Sequence, residues 1–204
     1  LTSSPAGPHR SAEKISYKGF NPQNDLVENL KKDWAEQSRC LFISADPDAY
    51  MSNNEMRFYF EKTVRESGLS VSVFDVCDRR NTEEMKATLL TYDMIILGGG
   101  HVPTQNTFLH KSGLMEVLRQ FDGIVMGISA GTMNCAECVY AQPELPGESG
   151  SSRYHRFLTG IGYTRYNVLP HYQAVKDHIL DGRRLMEEIT YPDSAGKEFY
   201  ALTD

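Results

Sequence analysis

The chain has 204 residues, with 21 Lys plus Arg against 27 Asp plus Glu and a formal net charge of −6 at pH 7. That balance lacks the basic excess on which phosphate-backbone binding relies, so nucleic acid is not an expected partner. With 40% hydrophobic and 24% charged residues the composition is that of a globular chain, and apolar runs such as Met94-Ile95-Ile96-Leu97 fall far short of the ~20 residues of a membrane span.

Taken in chain order, short buried runs alternate with segments of helical period. An irregular stretch over 3–24 leads to a predicted helix over 25–37 with Asp25 as N-cap, then a strand over 40–44 and a helix over 53–67 closed by Gly68. A strand over 71–74, a helix over 82–90 capped by Thr82, a strand over 94–97, a helix over 106–120 and a strand over 124–127 follow. Beyond a second irregular stretch, 142–162, come a strand over 166–169, a helix over 174–189 and a strand over 199–202. Continuous apolar strands separated by amphipathic helices predict a mostly parallel sheet with helices on both faces, a three-layer α/β/α fold. The whole of 1–204 is read as one such domain, trimmed at both ends. The irregular stretches are rich in Gly, Pro and Ser, and long loops of this kind often carry function. Cys40, Cys77, Cys135 and Cys138 sit in apolar or helical surroundings, which suggests a reducing compartment, and the expected location is cytoplasmic.

Open α/β sheets bind ligands beyond the carboxyl ends of their strands. After Leu97 comes Gly98-Gly99-Gly100-His101; after Gly127, Ile128-Ser129-Ala130-Gly131; after Leu169, Pro170-His171; after Leu202, Thr203-Asp204. Gly127-Ile128-Ser129-Ala130-Gly131 is G-x-S-x-G between a strand and a helix, the context of a nucleophile elbow. An alcohol needs a base within hydrogen-bond reach. Of the six histidines, His171 suits best, because Pro170 forces Leu169 into extended backbone and delivers the imidazole at a strand end. His110 and His178 fall inside helical patterns, His9 and His155 in irregular stretches, and His101 beside the glycine turn suits substrate contact as well as proton transfer. Asp204 is the expected carboxylate partner of the base, giving the chain order Ser, His, Asp; an α/β-hydrolase would place the acid before the histidine. A backbone amide of the glycine turn, together with that of Ala130, would form an oxyanion hole. No Gly-Lys-Ser/Thr follows the triple glycine and the G-x-G-x-x-G spacing is absent, so a nucleotide site is disfavoured. Cys135-Ala136-Glu137-Cys138 supplies two thiolates where a closed zinc site needs four ligands and is read as inert, on the helix after Ser129. Asp46-Pro47-Asp48 reads as a turn.

Three of these pieces, Gly98-Gly99-Gly100 with Asn106-Thr107-Phe108, Gly127-Ile128-Ser129-Ala130-Gly131, and Leu169-Pro170-His171-Tyr172, occur in an order and spacing that resemble peptidase family S51, the dipeptidase E and cyanophycinase family of serine peptidases, on a flavodoxin-like scaffold related to class I glutamine amidotransferases. The resemblance implies Ser129 as nucleophile, His171 as base, Gly99 or Gly100 with Ala130 as oxyanion donors, and Asp204 at the position of the family's glutamate. It implies a small peptide substrate, no metal or cofactor, no membrane partner, and a monomer or homodimer. Its substrate-facing positions here are His101, Asn106, Thr107, Arg183 and Arg184. The position of the arginine that selects acidic first residues in dipeptidase E is Leu185, with Arg183 and Arg184 just before it, and 101–105 reads as an insertion that lengthens the loop after the glycines. Aspartyl dipeptides are therefore not the committed substrate, and release of β-linked Asp-Arg is the alternative. A binding or regulatory protein on the same scaffold is a competing reading. An amidotransferase is the weakest, because its nucleophile should be cysteine.

Overall fold

The computed structural model describes residues 1–5, 9–11, 14–16 and 18–203. A two-stranded hairpin, β1 (His9–Ser11) and β2 (Lys14–Ser16), precedes α1 (Leu26–Asp33). The central sheet then assembles from β3 (Ser38–Ile43), β4 (Val71–Cys77), β5 (Met94–Leu97) and β6 (Ile124–Gly127), in the order β4-β3-β5-β6 with every pair parallel. Between them run α2 (Tyr50–Glu66), α3 (Thr82–Thr88), α4 (Val102–Lys111) and α5 (Leu114–Leu118).

Successive strand side chains point to opposite faces, and both faces are covered. Leu41, Ile43, Ile95 and Leu97 pack with Met85, Phe108, Leu109, Leu114, Met115 and Leu118 from α3, α4 and α5. Their neighbours Cys40, Phe42, Met94 and Ile96 pack on the other side with Leu30, Tyr59, Phe60 and Val64 from α1 and α2. This is the three-layer α/β/α architecture expected from the apolar runs. Gly68 ends α2 as anticipated: at φ +75° its N–H bonds Arg65 O while Leu69 N–H bonds Val64 O, the two bonds of a Schellman cap.

Four local expectations are corrected. Asp25 and Thr82 make no capping bonds: Asp25 is left-handed at φ 53°, and the Thr82 hydroxyl donates to Asp78 O, Asn81 being the residue that precedes α3. The helix expected over 106–120 starts earlier and is broken. Residues 101–105 form the cap and first turn of α4, where Pro103 needs no N–H partner, and Gly113 at φ +73° separates α4 from α5. The helix expected over 174–189 is α7 (Tyr172–Val175), then a hairpin of β10 (Ile179–Leu180) and β11 (Arg183–Arg184), then a π-helical turn over Leu185–Thr190 and α8 (Tyr191–Asp193). Asp181-Gly182, both at positive φ, make that hairpin turn, so His178, Asp177 and Asp181 are not on a helix. Finally, Cys135 follows α6 (Ala130–Asn134) and Cys138 opens β7 (Cys138–Tyr140), which pairs antiparallel with β8 (Phe157–Thr159). All four cysteines are free thiols, and burial pushes Cys40, Cys77 and Cys135 up to about 12, where a thiolate is not available at neutral pH.

Beyond β6, Thr2 forms a parallel bridge with Ile128. Then β9 (Asn167–Leu169) pairs in parallel with β12 (Phe199–Ala201). Among the described residues no helix is long and apolar enough to cross a membrane.

Candidate active site

Ser129 stands between β6 and α6 with φ 48° and ψ −110°, a conformation that a residue with a Cβ adopts only under constraint. The constraint is visible. Ser129 N–H donates to Thr2 O at 3.1 Å, Ile128 N–H to Leu97 O at 3.0 Å, and Met133 N–H to Ser129 O at 3.1 Å. Thr2 is fastened in turn: its N–H reaches Gly127 O at 2.9 Å, and its carbonyl accepts the Thr132 hydroxyl at 2.6 Å. Both glycines of the motif are demanded by close approach. A Cβ on Gly127 would lie 2.7 Å from the Thr132 backbone, and one on Gly131 would lie 2.1 Å from Leu97 O. The serine is half-buried, and its Oγ has no hydrogen-bond partner among the described residues.

The glycine turn after β5 lies against this serine. A Cβ on Gly98 would meet the Phe42 ring at 2.7 Å, one on Gly100 (φ +152°) would meet Ala45 Cβ at 2.8 Å, and one on Gly99 would sit 3.4 Å from Ser129 Cβ. Gly98 is pinned by its N–H to Ile43 O at 2.9 Å and by Gln105 Nε2, which donates to its carbonyl at 3.0 Å. Among the described residues the N–H groups of Gly99, Gly100 and Ala130 have no protein acceptor.

His171 follows Pro170 in the left-handed region, at φ 56° and ψ 35°, and its carbonyl accepts the N–H groups of Ala174 and Val175 in the first turn of α7. Its own N–H donates to Ser3 Oγ at 2.8 Å, and the same oxygen lies 3.2 Å from its Nδ1. Adjacent residues of one segment therefore hold the two turns, Thr2 that of Ser129 and Ser3 that of His171. No hydrogen bond joins Ser129 Oγ to the imidazole. Leu202 N–H bonds Leu169 O at 2.8 Å and Leu202 O accepts Tyr172 N–H at 3.0 Å, so the chain leaves β12 beside the His171 turn. Asp204 lies outside the described residues.

The remaining candidates are spread more widely. His101 is engaged on both ring nitrogens, Nδ1 with Thr104 Oγ1 at 2.8 Å and Nε2 with Glu148 Oε1 at 3.0 Å. Asn106 is buried and its amide donates to Asn134 Oδ1 and Thr159 O, which ties α4 to α6 and β8. Thr107 is exposed on α4 and lines a groove with Asp48, Arg79 and Lys111. Arg183 and Arg184 are exposed on the β10–β11 hairpin, with the Arg184 side chain 3.7 Å from Glu188, and Leu185 is buried. Thus Ser129, Ala130 and the glycine turn lie together at the carboxyl end of the four-stranded sheet, and His171, which follows the separate β9–β12 pair, is tied to them through Thr2 and Ser3, while Asn106 serves the packing and Thr107 faces another groove.

Two acidic residues of the irregular stretch, not singled out by their sequence, complete the picture. Besides His101, the Glu148 carboxylate accepts the N–H groups of Glu144 and Leu145, both at 2.9 Å. Asp181 accepts those of Gly147 and Ser149 and the Ser149 hydroxyl, and these bonds hold its carboxyl below the usual carboxylate range. The loop is thereby strapped to α4 and to the β10–β11 turn. Glu144 reaches solvent yet is crowded by protein. That desolvation is the main reason its carboxyl lies above the usual range; the charges of His101 and His171 lower it and that of Glu148 raises it. Its carboxylate has no hydrogen-bond or ion-pair partner among the described residues. Among those residues no group of three or more His, Cys, Asp and Glu is placed to hold a metal ion.

A family model described as peptidase family S51 matches residues 14–203. No curated protein matches the chain. A crystal structure of a protein from Listeria monocytogenes EGD-e, provisionally named a peptidase E, is similar in fold with a TM-score of 0.57 at 17% sequence identity, over 88% of this chain and 85% of that one.

Proposed function

The chain belongs to peptidase family S51 and is a serine peptidase, and from that premise we propose that it hydrolyses small peptides through an acyl-enzyme on Ser129, with His171 as base and Asp204 as its acid partner. The observation that carries the assignment is Ser129 itself: a half-buried serine held at φ 48° whose hydroxyl has no partner among the described residues, against a glycine turn in which the Gly99 and Gly100 amides have none there either. This is the geometry a nucleophile elbow needs. In the proposed reaction His171 takes the Ser129 proton as Oγ attacks the peptide carbonyl. The N–H groups of Ala130 and of Gly99 or Gly100 receive the oxyanion. The imidazolium then protonates the leaving amine, and water, deprotonated by the same imidazole, releases the acid. The position of Leu202 supports Asp204 as acid, since the chain exits β12 next to the His171 turn. One observation favours the alternative of a scaffold that binds without turnover, the absent Ser129–His171 hydrogen bond. Such bonds often tighten only when substrate is bound, and the family assignment weighs for turnover.

The charge beside His171 supports a substrate class. Glu144 is a carboxylate with no hydrogen-bond or ion-pair partner among the described residues, and His101, Glu148 and His171 act on its charge. An acidic first residue would be repelled there, whereas an α-ammonium, lysine or arginine group would be attracted. A dipeptide panel tests this: peptides bearing Arg or Lys and no acidic residue are expected to be cleaved at least ~10-fold faster than Asp-first peptides, as one charge-assisted hydrogen bond allows. Glu144→Gln should remove most of that preference while leaving neutral peptides within about 2-fold, and N-acetylated peptides distinguish α-ammonium from side-chain recognition. Because the Glu144 carboxyl is raised, the preference should fade on acidification at a pH above the ordinary carboxylate value. Fastest cleavage of Asp-first peptides would contradict the proposed selectivity.

A further inference from the structure

We propose that His101 and Glu148 are positioning residues: their bond clamps the loop carrying Glu144 to the residue that follows the glycine turn, so that this carboxylate and the oxyanion amides are held as one unit. The inference rests on the reading of the glycine turn and of Glu144 given above. The near end of the turn is fixed from the sheet, by Gly98 N–H on Ile43 O and by Gln105 on the Gly98 carbonyl. Gly99 and Gly100 have no side chain to hold them, and their N–H groups meet no protein acceptor among the described residues. The far end is His101, which follows Gly100 and immediately precedes α4.

Both nitrogens of the His101 ring are taken up by protein, which suits an anchor better than a substrate contact. Thr104 Oγ1 lies 2.8 Å from Nδ1 and Glu148 Oε1 lies 3.0 Å from Nε2. A carboxylate only accepts, so Nε2 carries a proton, and the Thr104 hydroxyl can donate to a neutral Nδ1 or accept from a protonated one. The other Glu148 oxygen accepts the N–H groups of Glu144 and Leu145, both at 2.9 Å. One largely buried carboxylate therefore reaches from the backbone of the loop to the start of α4. The second fastening of the loop, from Gly147 and Ser149 to Asp181, leads instead to the β10–β11 turn. Among the described residues, the hydrogen bond that ties 144–149 to the glycine-turn side is that of His101 with Glu148.

Hydrogen exchange read by mass spectrometry and the rate at which a fluorophosphonate labels Ser129 report the two ends of the clamp. In His101→Ala, peptides covering 144–149 should exchange about 10-fold faster, as loss of one charge-assisted bond allows, while β5 keeps its protection. Labelling of Ser129 should slow about 5- to 20-fold in the same variant, because the oxyanion donors lose their fixed placement. Both should largely recover in His101→Gln, whose amide can donate to Glu148 in place of the imidazole. A purely structural loss would slow all peptides alike, whereas a loosened Glu144 should lower the ratio of Arg- or Lys-bearing to neutral peptides about 3-fold or more. Should His101→Ala not fold, Thr104→Val, which releases the ring at Nδ1, should give smaller changes in the same direction. Unchanged exchange over 144–149, or faster exchange with a wild-type labelling rate, would overturn the proposal. A wild type that takes no label would count against the catalytic reading, and one without the cationic preference against the reading of Glu144; in either case the exchange result still decides the clamp.

Discussion

Gly131→Ala is expected to destabilise the protein by about 3 kcal/mol or more and to displace the turn that carries Ser129. The added Cβ would lie 2.1 Å from Leu97 O, 2.6 Å from Leu97 C and 2.7 Å from Leu97 Cβ. Two of these atoms are backbone of the central strand β5, which is buried throughout and paired on both sides, so no side-chain rotation relieves the clash. Overpacking of a well-packed interior typically costs ~1–3 kcal/mol, and a backbone obstacle places this case at or above the upper end. For a chain of this length that is a fall in Tm of roughly 6–12 °C, readable by thermal denaturation. Gly150→Ala is the internal control. Nothing lies within 4 Å of its added Cβ, and its stability should stay within about 0.5 kcal/mol of wild type. If the two variants melted together, the close packing of α6 on β5 would be wrong.

Ser129→Ala should carry the largest effect on activity, a loss of about 10³- to 10⁶-fold in kcat/KM against a peptide the wild type cleaves, with stability little changed. The hydroxyl makes no hydrogen bond among the described residues, so its removal takes away no structural contact. His171→Ala should lose activity on a similar scale, because a serine without its base has lost most of what makes it a nucleophile. The informative measurement is the double variant. If nucleophile and base act as a unit, Ser129→Ala with His171→Ala will be no slower than the worse single variant, whereas independent roles would multiply the two losses.

How much of this was legible in the sequence depends on how local each signal is. The strands of the central sheet stand out as short apolar runs because a sheet covered on both faces leaves few polar positions within them, and those at 167–169 and 199–201 are legible as short apolar runs although the second is largely exposed. Ser129, the glycine turn and His171 are legible for a related reason: each follows a strand directly and carries its own spacing or proline. The β10–β11 hairpin had a readable sign in Asp181-Gly182, but apolar residues at helical spacing on both sides suggested a continuous helix across it. Asn106 belongs to a motif, yet its surroundings turn it into packing, since α4 starts at Val102 and presents it to Asn134. Thr2 and Ser3 left no sign at all. Their partners, Thr132 and His171, lie 130 and 168 positions away, and a Thr or Ser beside a proline-containing stretch looks like any loop residue. Glu144 and Glu148 fall in a stretch recognisable as a long loop, but which carboxylate is consumed by the loop and which faces the site is decided by tertiary contacts, the His101–Glu148 pair foremost.

Whether Ser129 is a reactive nucleophile can be read directly with a covalent label. Incubation with a fluorophosphonate followed by peptide mass spectrometry should place a single adduct on Ser129 in the wild-type chain and none in Ser129→Ala. A wild-type protein that takes no adduct, or an adduct that persists in Ser129→Ala, would contradict it.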